Sequence, residues 1–212
     1  MTATTMKHDS KFWDRIADKY YSTPIKKMDV YEEKLRLTQT LMKPDMSLLE
    51  FGCGTGGTAL RHAPFVANIL ATDISEAMLD IGRRQAREAS VENVSFARAD
   101  IADYQADPAS FDMVLGMSIL HLVKDPAAVV ASVFSWLKPG GYFVSSTACL
   151  GDKMGWFRYV GPIGHALGKI PYVNVFKAQA LETFLTEAGF TIETNWRPDG
   201  DHAVFLIARK PD

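Results

Sequence analysis

The sequence predicts an α/β protein built on a doubly wound, mostly parallel sheet whose last strand runs antiparallel. Three observations carry this. Apolar, strand-like runs alternate with helix-period segments from residue 47 to residue 148, the pattern of βαβ units. A glycine turn, "LLEFGCGTGGTAL" at 48–60, joins the first run to the helix after it and places Gly52, Gly54, Gly56 and Gly57 within six residues. The end of the chain breaks the rhythm. Runs at Thr191–Trp196 and Ala203–Arg209 are separated by Arg197-Pro198-Asp199-Gly200-Asp201, too short for a crossover helix, so these two strands must be antiparallel neighbours.

Residues 1–10 are polar and are expected to be loose. From Lys11, the apolar positions Phe12, Trp13, Ile16, Ala17 and Tyr20 keep a helical spacing until Ser22-Thr23-Pro24. A second helix is expected over 29–42, stopping before Pro44. Ser47–Phe51 reads as a buried strand, and the glycine turn then opens a helix to about His62. Asn68–Ile74 is the second strand, and Ser75 is placed as the N-cap of a helix to about Glu88, with Glu76 in its first turn. Val94–Ala99 and Phe111–Met117 are the third and fourth strands. Pro126–Leu137 reads as a helix closed by Lys138-Pro139-Gly140-Gly141, and Tyr142–Ala148 as the fifth strand. A last helix near Ala178–Ala188 is capped by Gly189.

At 212 residues, 47% hydrophobic and 23% charged, the chain reads as one globular domain with room for a sizeable core. A net charge of −2 supplies no strong basic field to hold a phosphate backbone, which counts against nucleic acid as the main partner without excluding a local patch. Cys53 and Cys149 form no disulfide framework and fit a reducing compartment. The N-terminal stretch lacks the apolar core of a signal peptide, and no run reaches the length of a transmembrane helix, so a cytoplasmic location is expected.

The glycine turn brings backbone close to a ligand, because no Cβ stands in the way. A Walker loop needs Lys-Ser/Thr after its last glycine, whereas Thr58-Ala59-Leu60 follows Gly57 here. Gly52, Gly54 and Gly57 do satisfy G-x-G-x-x-G, and Asp73 ends the next strand where an acid meets a ribose. Glu50, on the strand just before the turn, counts against a dinucleotide: it would repel a pyrophosphate and welcome a cation. Asp100, in "ARADIAD", ends the third strand and is placed to accept from an adenine amine, with Ile101 flanking the base. A ligand that is positive and carries ribose and adenine suits these acids, and S-adenosylmethionine is such a ligand.

"LLEFGCGTG", "ATDIS", "ARADIAD", "FDMVLGMSILHLV" and "LKPGGYF" occur in this order. Together they closely resemble the motifs of class I S-adenosylmethionine-dependent methyltransferases of the small-molecule type, within the quinone/phospholipid methyltransferase-like group. The resemblance covers about residues 46–148. It implies a Rossmann-like seven-stranded sheet with an antiparallel last strand and S-adenosylmethionine as cofactor. No metal is expected, because metal-dependent methylation needs a cluster of acids past the fourth strand and Asp125 alone is not one. The resemblance also implies a glycine turn (Gly52, Gly54, Gly56) beside the donor's amino acid part. Asp73 then takes the ribose hydroxyls, Ile74 or Met78 packs on the adenine, Asp100 takes the adenine amine, and Met117 lies near the methionine part. The expected organisation is a single domain over 1–212: a helical lid (1–45), a donor-binding core (46–148), an acceptor-side insertion (149–176), and a final helix with the antiparallel strand pair (177–212).

Several residues carry two readings. Glu50 also reads as a turn partner, and Asp103 is a neighbour that competes with Asp100. His121, in "SILHLVKDP", is the candidate general base for a hydroxyl or thiol acceptor, but a structural role outweighs catalysis. His62, His165 and His202 read as surface or packing residues. Trp13, Tyr20 and Tyr21 lie ahead of the core and either close over the donor or simply pack their helix on the sheet.

The segment "LGDKMGWFRYVGPIGHALGKIPYVNVF" is an insertion the core does not need, with glycines 151, 155, 161, 164 and 168 and the aromatics Trp156, Phe157, Tyr159, Tyr172 and Phe176. It reads as a mobile acceptor lid carried by Trp156 and Phe157, as a buried helix pair, or as a peripheral membrane face rimmed by Lys153, Arg158 and Lys169. The acceptor is accordingly a small apolar or amphiphilic molecule. The competing functions are a nicotinamide-dependent oxidoreductase and a non-catalytic S-adenosylmethionine-binding scaffold.

Overall fold

The computed structural model describes residues 3–198 and 203–212; Asp199, Gly200 and Asp201 of the expected last turn, and His202, lie outside the described residues. Seven strands form a mixed sheet, mostly parallel, with antiparallel strands at its end. The chain divides into two compact units, Met1–Asp100 and Ile101–Asp212.

In the first unit, helix α1 (Ala3–Ser22) begins well before the expected Lys11. No glycine or proline interrupts the chain between Ala3 and Ser22, so nothing stops the helix from extending backward. Helix α2 (Met28–Gln39) ends earlier than expected, because Leu41 and Met42 donate to the carbonyls of Thr38 and Gln39 in tight turns. Strands β1 (Ser47–Phe51), β2 (Asn68–Asp73) and β3 (Val94–Arg98) pair in parallel, in the order β3-β2-β1. Leu48, Leu49 and Phe51 are consecutive or nearly so and fully buried, as expected for a strand covered on both faces. Helices α3 (Gly57–His62) and α4 (Glu76–Glu88) follow β1 and β2. Ser75 caps α4 as expected: its Oγ accepts from the N–H of Met78 at 3.2 Å. Helix α1 packs on α4 through Ala17, Met78 and Ile81, with Trp13, Ile16 and Ala77 around them.

In the second unit the strand order is β4-β5-β7-β6. Strand β4 (Phe111–Met117) runs parallel to β5 (Leu137–Ala148), and helix α5 (Pro126–Trp136) connects them. Asp125 caps α5 by accepting from the N–H of Ala128 at 2.9 Å. The structure corrects the reading of Lys138-Pro139-Gly140-Gly141 as a turn ahead of the fifth strand, because β5 already starts at Leu137. Leu137 pairs with Phe111, Gly140 donates to the carbonyl of Lys210, and Lys210 donates back to that of Gly141, so these residues belong to the ladder. A φ of 74° at Gly140 bends the strand at that point. Next come helices α6 (Phe157–Ala166) and α7 (Ala178–Glu187). Gly189, at φ 103°, closes α7; its N–H reaches the carbonyl of Thr186 and that of Phe190 reaches Leu185. Strands β6 (Thr191–Trp196) and β7 (Ala203–Arg209) pair antiparallel, and β7 pairs antiparallel with β5. No helix among the described residues is long and apolar enough to cross a membrane.

Candidate active site

The glycine turn leaves β1 at its carboxyl end. Gly52, Gly54 and Gly56 all hold positive φ, of 63°, 55° and 78°. At Gly56 a side chain has no room as well: a Cβ would sit 2.7 Å from the ring of Phe96. At Gly54 the backbone itself is used, because its N–H donates to Asp73 Oδ2 at 2.9 Å. Gln85 of α4 holds the far side of the turn through the carbonyl of Thr55, at 2.8 Å. Cys53 is buried, and its thiol is pushed well above the usual range, first by burial and then by Glu50 and Asp73. It is therefore inert, and its small size explains its place in the turn.

Glu50, Asp73 and Asp100 stand at or just beyond the ends of three adjacent parallel strands, where open α/β sheets bind ligands. Asp73 is rigidly held: Oδ2 takes the Gly54 N–H and Oδ1 the Ser75 N–H, both at 2.9 Å. Burial raises the Asp73 pKa, backbone N–H groups oppose it, and Asp14 adds to the rise. Glu50 is 1% exposed. Burial and then Asp73 push its carboxyl up to about 8, against a hydrogen bond from the N–H of Ala59. Its Oε2 has no partner among the described residues. A buried, unsatisfied carboxylate oxygen costs roughly 1–3 kcal/mol, more when charged, so it marks a place for a donor group or a cation.

Helices α1 and α2 supply aromatic walls. Tyr20 lies over the turn, with its ring 3.8 Å from where a Gly54 Cβ would be. It is 51% exposed, yet its hydroxyl end faces the acids. Desolvation raises its pKa first, and Asp73 and Glu50 raise it further. Trp13 and Tyr21 share the helix with it. Trp13 packs on the α1–α4 cluster and stands edge-on to Tyr20, while Tyr21, one residue round the helix, stacks under Arg84 at 5.8 Å. Met78 is likewise 1% exposed within that cluster, so it forms core and offers no surface to a ligand. Ile74 is half-buried just past β2. Two residues escaped the sequence reading. Asp14 accepts from Ser75 Oγ and from the Ala77 N–H, and Tyr31 shares a 3.2 Å hydrogen bond with Thr58 on α3. Their signal was weak: a carboxylate at the edge of an apolar stripe, and one more tyrosine on an amphipathic helix.

In the second unit, Ile101 is buried and Met117 is half-buried at the end of β4. Ser118 follows at φ 59°, its N–H held by the Ser146 carbonyl at 2.7 Å, a left-handed conformation that a serine adopts only when its surroundings impose it. Burial lowers the His121 pKa to about 4, and its Nδ1 is buried without a partner among the described residues. The loop carrying it is stapled by Asn174, which sequence reading passed over. Its N–H donates to the His121 carbonyl at 2.8 Å, and its Nδ2 donates to those of Val123 and Lys124 at 3.3 and 3.1 Å. Ser145 and Thr147, on one face of β5, add two more buried and unpartnered hydroxyls. Phe157 turns inward onto Gly161, whereas Trp156 is 57% exposed. Among the described residues no group of three or more His, Cys, Asp or Glu is arranged to hold a metal.

A glycine turn flanked by acids at the carboxyl ends of parallel strands defines an α/β protein that binds a nucleoside-bearing ligand. Residues 48–141 match the family model of the methyltransferase domain. The ubiquinone biosynthesis O-methyltransferase of Acinetobacter baumannii is 32% identical over 115 residues, covering 54% of this chain and 48% of that protein. The enzyme of the same name from Thiobacillus denitrificans is 33% identical over 152 residues, covering 69% of this chain and 65% of that one. The chain thus spans about half the length of most of the curated relatives it matches. The geranyl diphosphate C-methyltransferase of Streptomyces coelicolor shares the fold, with a TM-score of 0.77 at 15% identity over 99% of this chain and 98% of that one. Residues 48–141 thus match a methyltransferase domain, and these likenesses support the class I S-adenosylmethionine-dependent methyltransferases as the family of this chain.

Proposed function

We propose that this chain transfers a methyl group from S-adenosylmethionine to a small apolar or amphiphilic acceptor by in-line displacement. The observation that carries the reading is the unpartnered Oε2 of buried Glu50 beside the glycine turn. It fits a ligand that brings positive charge to this point, as the donor's amino acid part does, and it fits no pyrophosphate. The donor supplies a methyl already activated by a sulfonium. Asp73, fixed by two backbone N–H groups, accepts from the ribose hydroxyls. Ile74 and Ile101 line the adenine, Asp100 accepts from its amine, and Met117 borders the methionine part. Tyr20 closes the turn and excludes water.

Positioning accounts for most of the catalysis, because holding acceptor and methyl in line removes much of the barrier. His121 is neutral but weakly basic when pushed down to about 4, which favours a role in shaping the acceptor side over one as general base. The relatives' name supports oxygen as the atom methylated, on a quinone-type amphiphile. The test is the formation of S-adenosylhomocysteine with a set of phenolic and hydroquinone acceptors of increasing chain length. Turnover that rises with apolar length supports the reading. A donor that binds with no turnover on any acceptor supports the scaffold instead. A melting temperature raised by NADH and not by S-adenosylhomocysteine overturns both.

A further inference from the structure

Glycine is the poorest helix former after proline, yet Gly82 stands in the middle of α4, among its buried residues. Phe96 of β3 explains it. A Cβ on Gly82 would lie 2.6 Å from Cε1 of that ring, 3.1 Å from Cζ and 3.2 Å from Cδ1. The same edge of the ring faces the glycine turn. A Cβ on Gly56 would lie 2.7 Å from Cε1, 3.0 Å from Cζ and 3.5 Å from the Gly82 Cα. Gly56 and Gly82 therefore form one notch, and the Phe96 ring fills it. One turn along the same face of α4, Gln85 donates from Nε2 to the Thr55 carbonyl at 2.8 Å.

The strand side of the notch is fixed. Phe96 is paired with Ala71 in the β2–β3 ladder, and its carbonyl accepts from Arg83 Nη2 at 3.3 Å. Arg83 is itself paired with Glu76 and Asp80. A methyl added at Gly82 meets a whole ring edge, so a small tilt of the ring does not clear it. The ring has to leave the notch, or the turn has to move away from α4. Either way Gly56, held at a φ of 78°, loses its support, and the hydrogen bond from Gln85 to the neighbouring Thr55 is stretched. The other side of the turn is tied to Asp73 through the Gly54 N–H. A shift of the turn therefore reaches the carboxylate assigned to the ribose, although neither Gly82 nor Phe96 is assigned a contact with the donor.

We propose that Gly82 is a positioning residue for the donor: through the Phe96 ring it sets the glycine turn against α4, and so sets the affinity for S-adenosylmethionine from outside the site. This rests on the reading that the turn holds that donor. Calorimetry with S-adenosylhomocysteine, on variants shown by circular dichroism to be folded, tests it. Gly82→Ala should bind about tenfold more weakly, a loss at least as large as that of one hydrogen bond. Gly82→Ala/Phe96→Leu should recover most of the affinity, because leucine lacks the Cε1 and Cζ atoms that crowd the notch. A glycine needed only for packing would instead lower the melting temperature and leave affinity alone. Gln85→Leu changes a half-buried position; it should fold like the parent and bind about fivefold more weakly. It also carries the test if Gly82→Ala does not fold. Parental affinity in Gly82→Ala, or a double variant that binds no tighter than the single one, overturns the proposal. So does parental affinity in Gln85→Leu, since the turn would then take the donor without being held to α4. A parent that does not bind S-adenosylhomocysteine overturns the donor reading itself, and this inference with it.

Discussion

Asp14 Oδ1 accepts a 2.6 Å hydrogen bond from Ser75 Oγ, across 61 residues of chain. Ser75 is also the N-cap of α4 and donates its own N–H to Asp73. One serine therefore ties the N-terminal helix to the carboxylate assigned to the ribose. Asp14→Ala should lower stability by about 1.5–3 kcal/mol, the worth of a hydrogen bond to a charged group. It should also weaken S-adenosylhomocysteine binding, because Tyr20 rides on the same helix. Denaturant melts and calorimetry on one preparation check both effects; a loss of stability with unchanged affinity would detach Tyr20 from the donor.

Asp73→Ala should weaken donor binding by roughly tenfold to a hundredfold, the equivalent of one charge-assisted hydrogen bond. The substitution also strips the N–H groups of Gly54 and Ser75 of their acceptor, so a stability loss is expected alongside. Asp73→Asn keeps a side-chain oxygen for one of them and should separate the effects, with a smaller fall in melting temperature and most of the loss in affinity. Affinity equal to the parent's in both variants would remove Asp73 from the site.

The strands and the glycine turn were legible because each is set locally. Leu48, Leu49 and Phe51 form an apolar run broken only by Glu50, and Gly52, Gly54 and Gly56 stand where positive φ is needed. Ser75 announced its cap for the same reason. The fate of Lys138-Pro139-Gly140-Gly141 was not legible, since it depends on Lys210, far along the chain, completing the ladder. Met78 was misplaced because helical spacing shows which residues share a face but not what that face meets. Here α1 meets α4, and Met78 is sealed beneath it. Asp14, Tyr31 and Asn174 act through partners distant in sequence, and no local pattern exposes such pairs.

Glu50 makes donor binding depend on pH. With its carboxyl pushed up to about 8, the free protein holds a proton there at neutral pH. A cationic ligand favours the ionised form, so binding should release that proton. Affinity should rise about tenfold from pH 6 to pH 7 and flatten above pH 8. The sign for stability is opposite. A carboxyl whose folded pKa is raised stabilises the fold below its ordinary pKa, and that contribution is lost as pH climbs toward 8. Calorimetry of S-adenosylhomocysteine binding in buffers of different ionisation heat reads the proton directly. Glu50→Gln should abolish both the release and the slope; a slope that survives in that variant belongs to another group.

His121 gives a pH signature in the other direction. Burial lowers its pKa to about 4, so the imidazole is neutral when folded and charges more readily when unfolded. Its contribution to stability is complete above about pH 6.5 and is lost as pH falls toward 4. His62, held near the same value by burial and then Arg61, adds a parallel loss. The melting temperature of His121→Gln should therefore fall less steeply than the parent's across that window. Its turnover per folded molecule should stay near normal. A drop of a hundredfold or more in turnover, with donor affinity intact, would instead make His121 the general base.

The sequence reading gives a helical lid over 1–45 and a mobile acceptor lid in the 149–176 insertion, and their packing differs. Helix α1 is anchored by Asp14 on Ser75 and by Ala17, which is 3% exposed against Met78 and Ile81. On helix α6 the close contacts are local, Phe157 on Gly161 of the same helix and Ile170 on Gly164. Local opening follows the number of buried contacts. Amides from Trp13 to Ala17 should therefore exchange slowly even in the free protein, while those of Phe157–Ala166 exchange fast. S-adenosylhomocysteine should slow only the last turn of α1, around Tyr20. Slowing of α6 should require an amphiphilic acceptor. Trp156→Ala and Phe157→Ala then part company. The first removes an exposed ring and should spare the melting temperature while weakening acceptor binding. The second removes the ring packed on Gly161 and should speed exchange throughout α6 without any ligand. Equal protection of both helices in the free protein would make α6 part of the static core and move the acceptor site elsewhere.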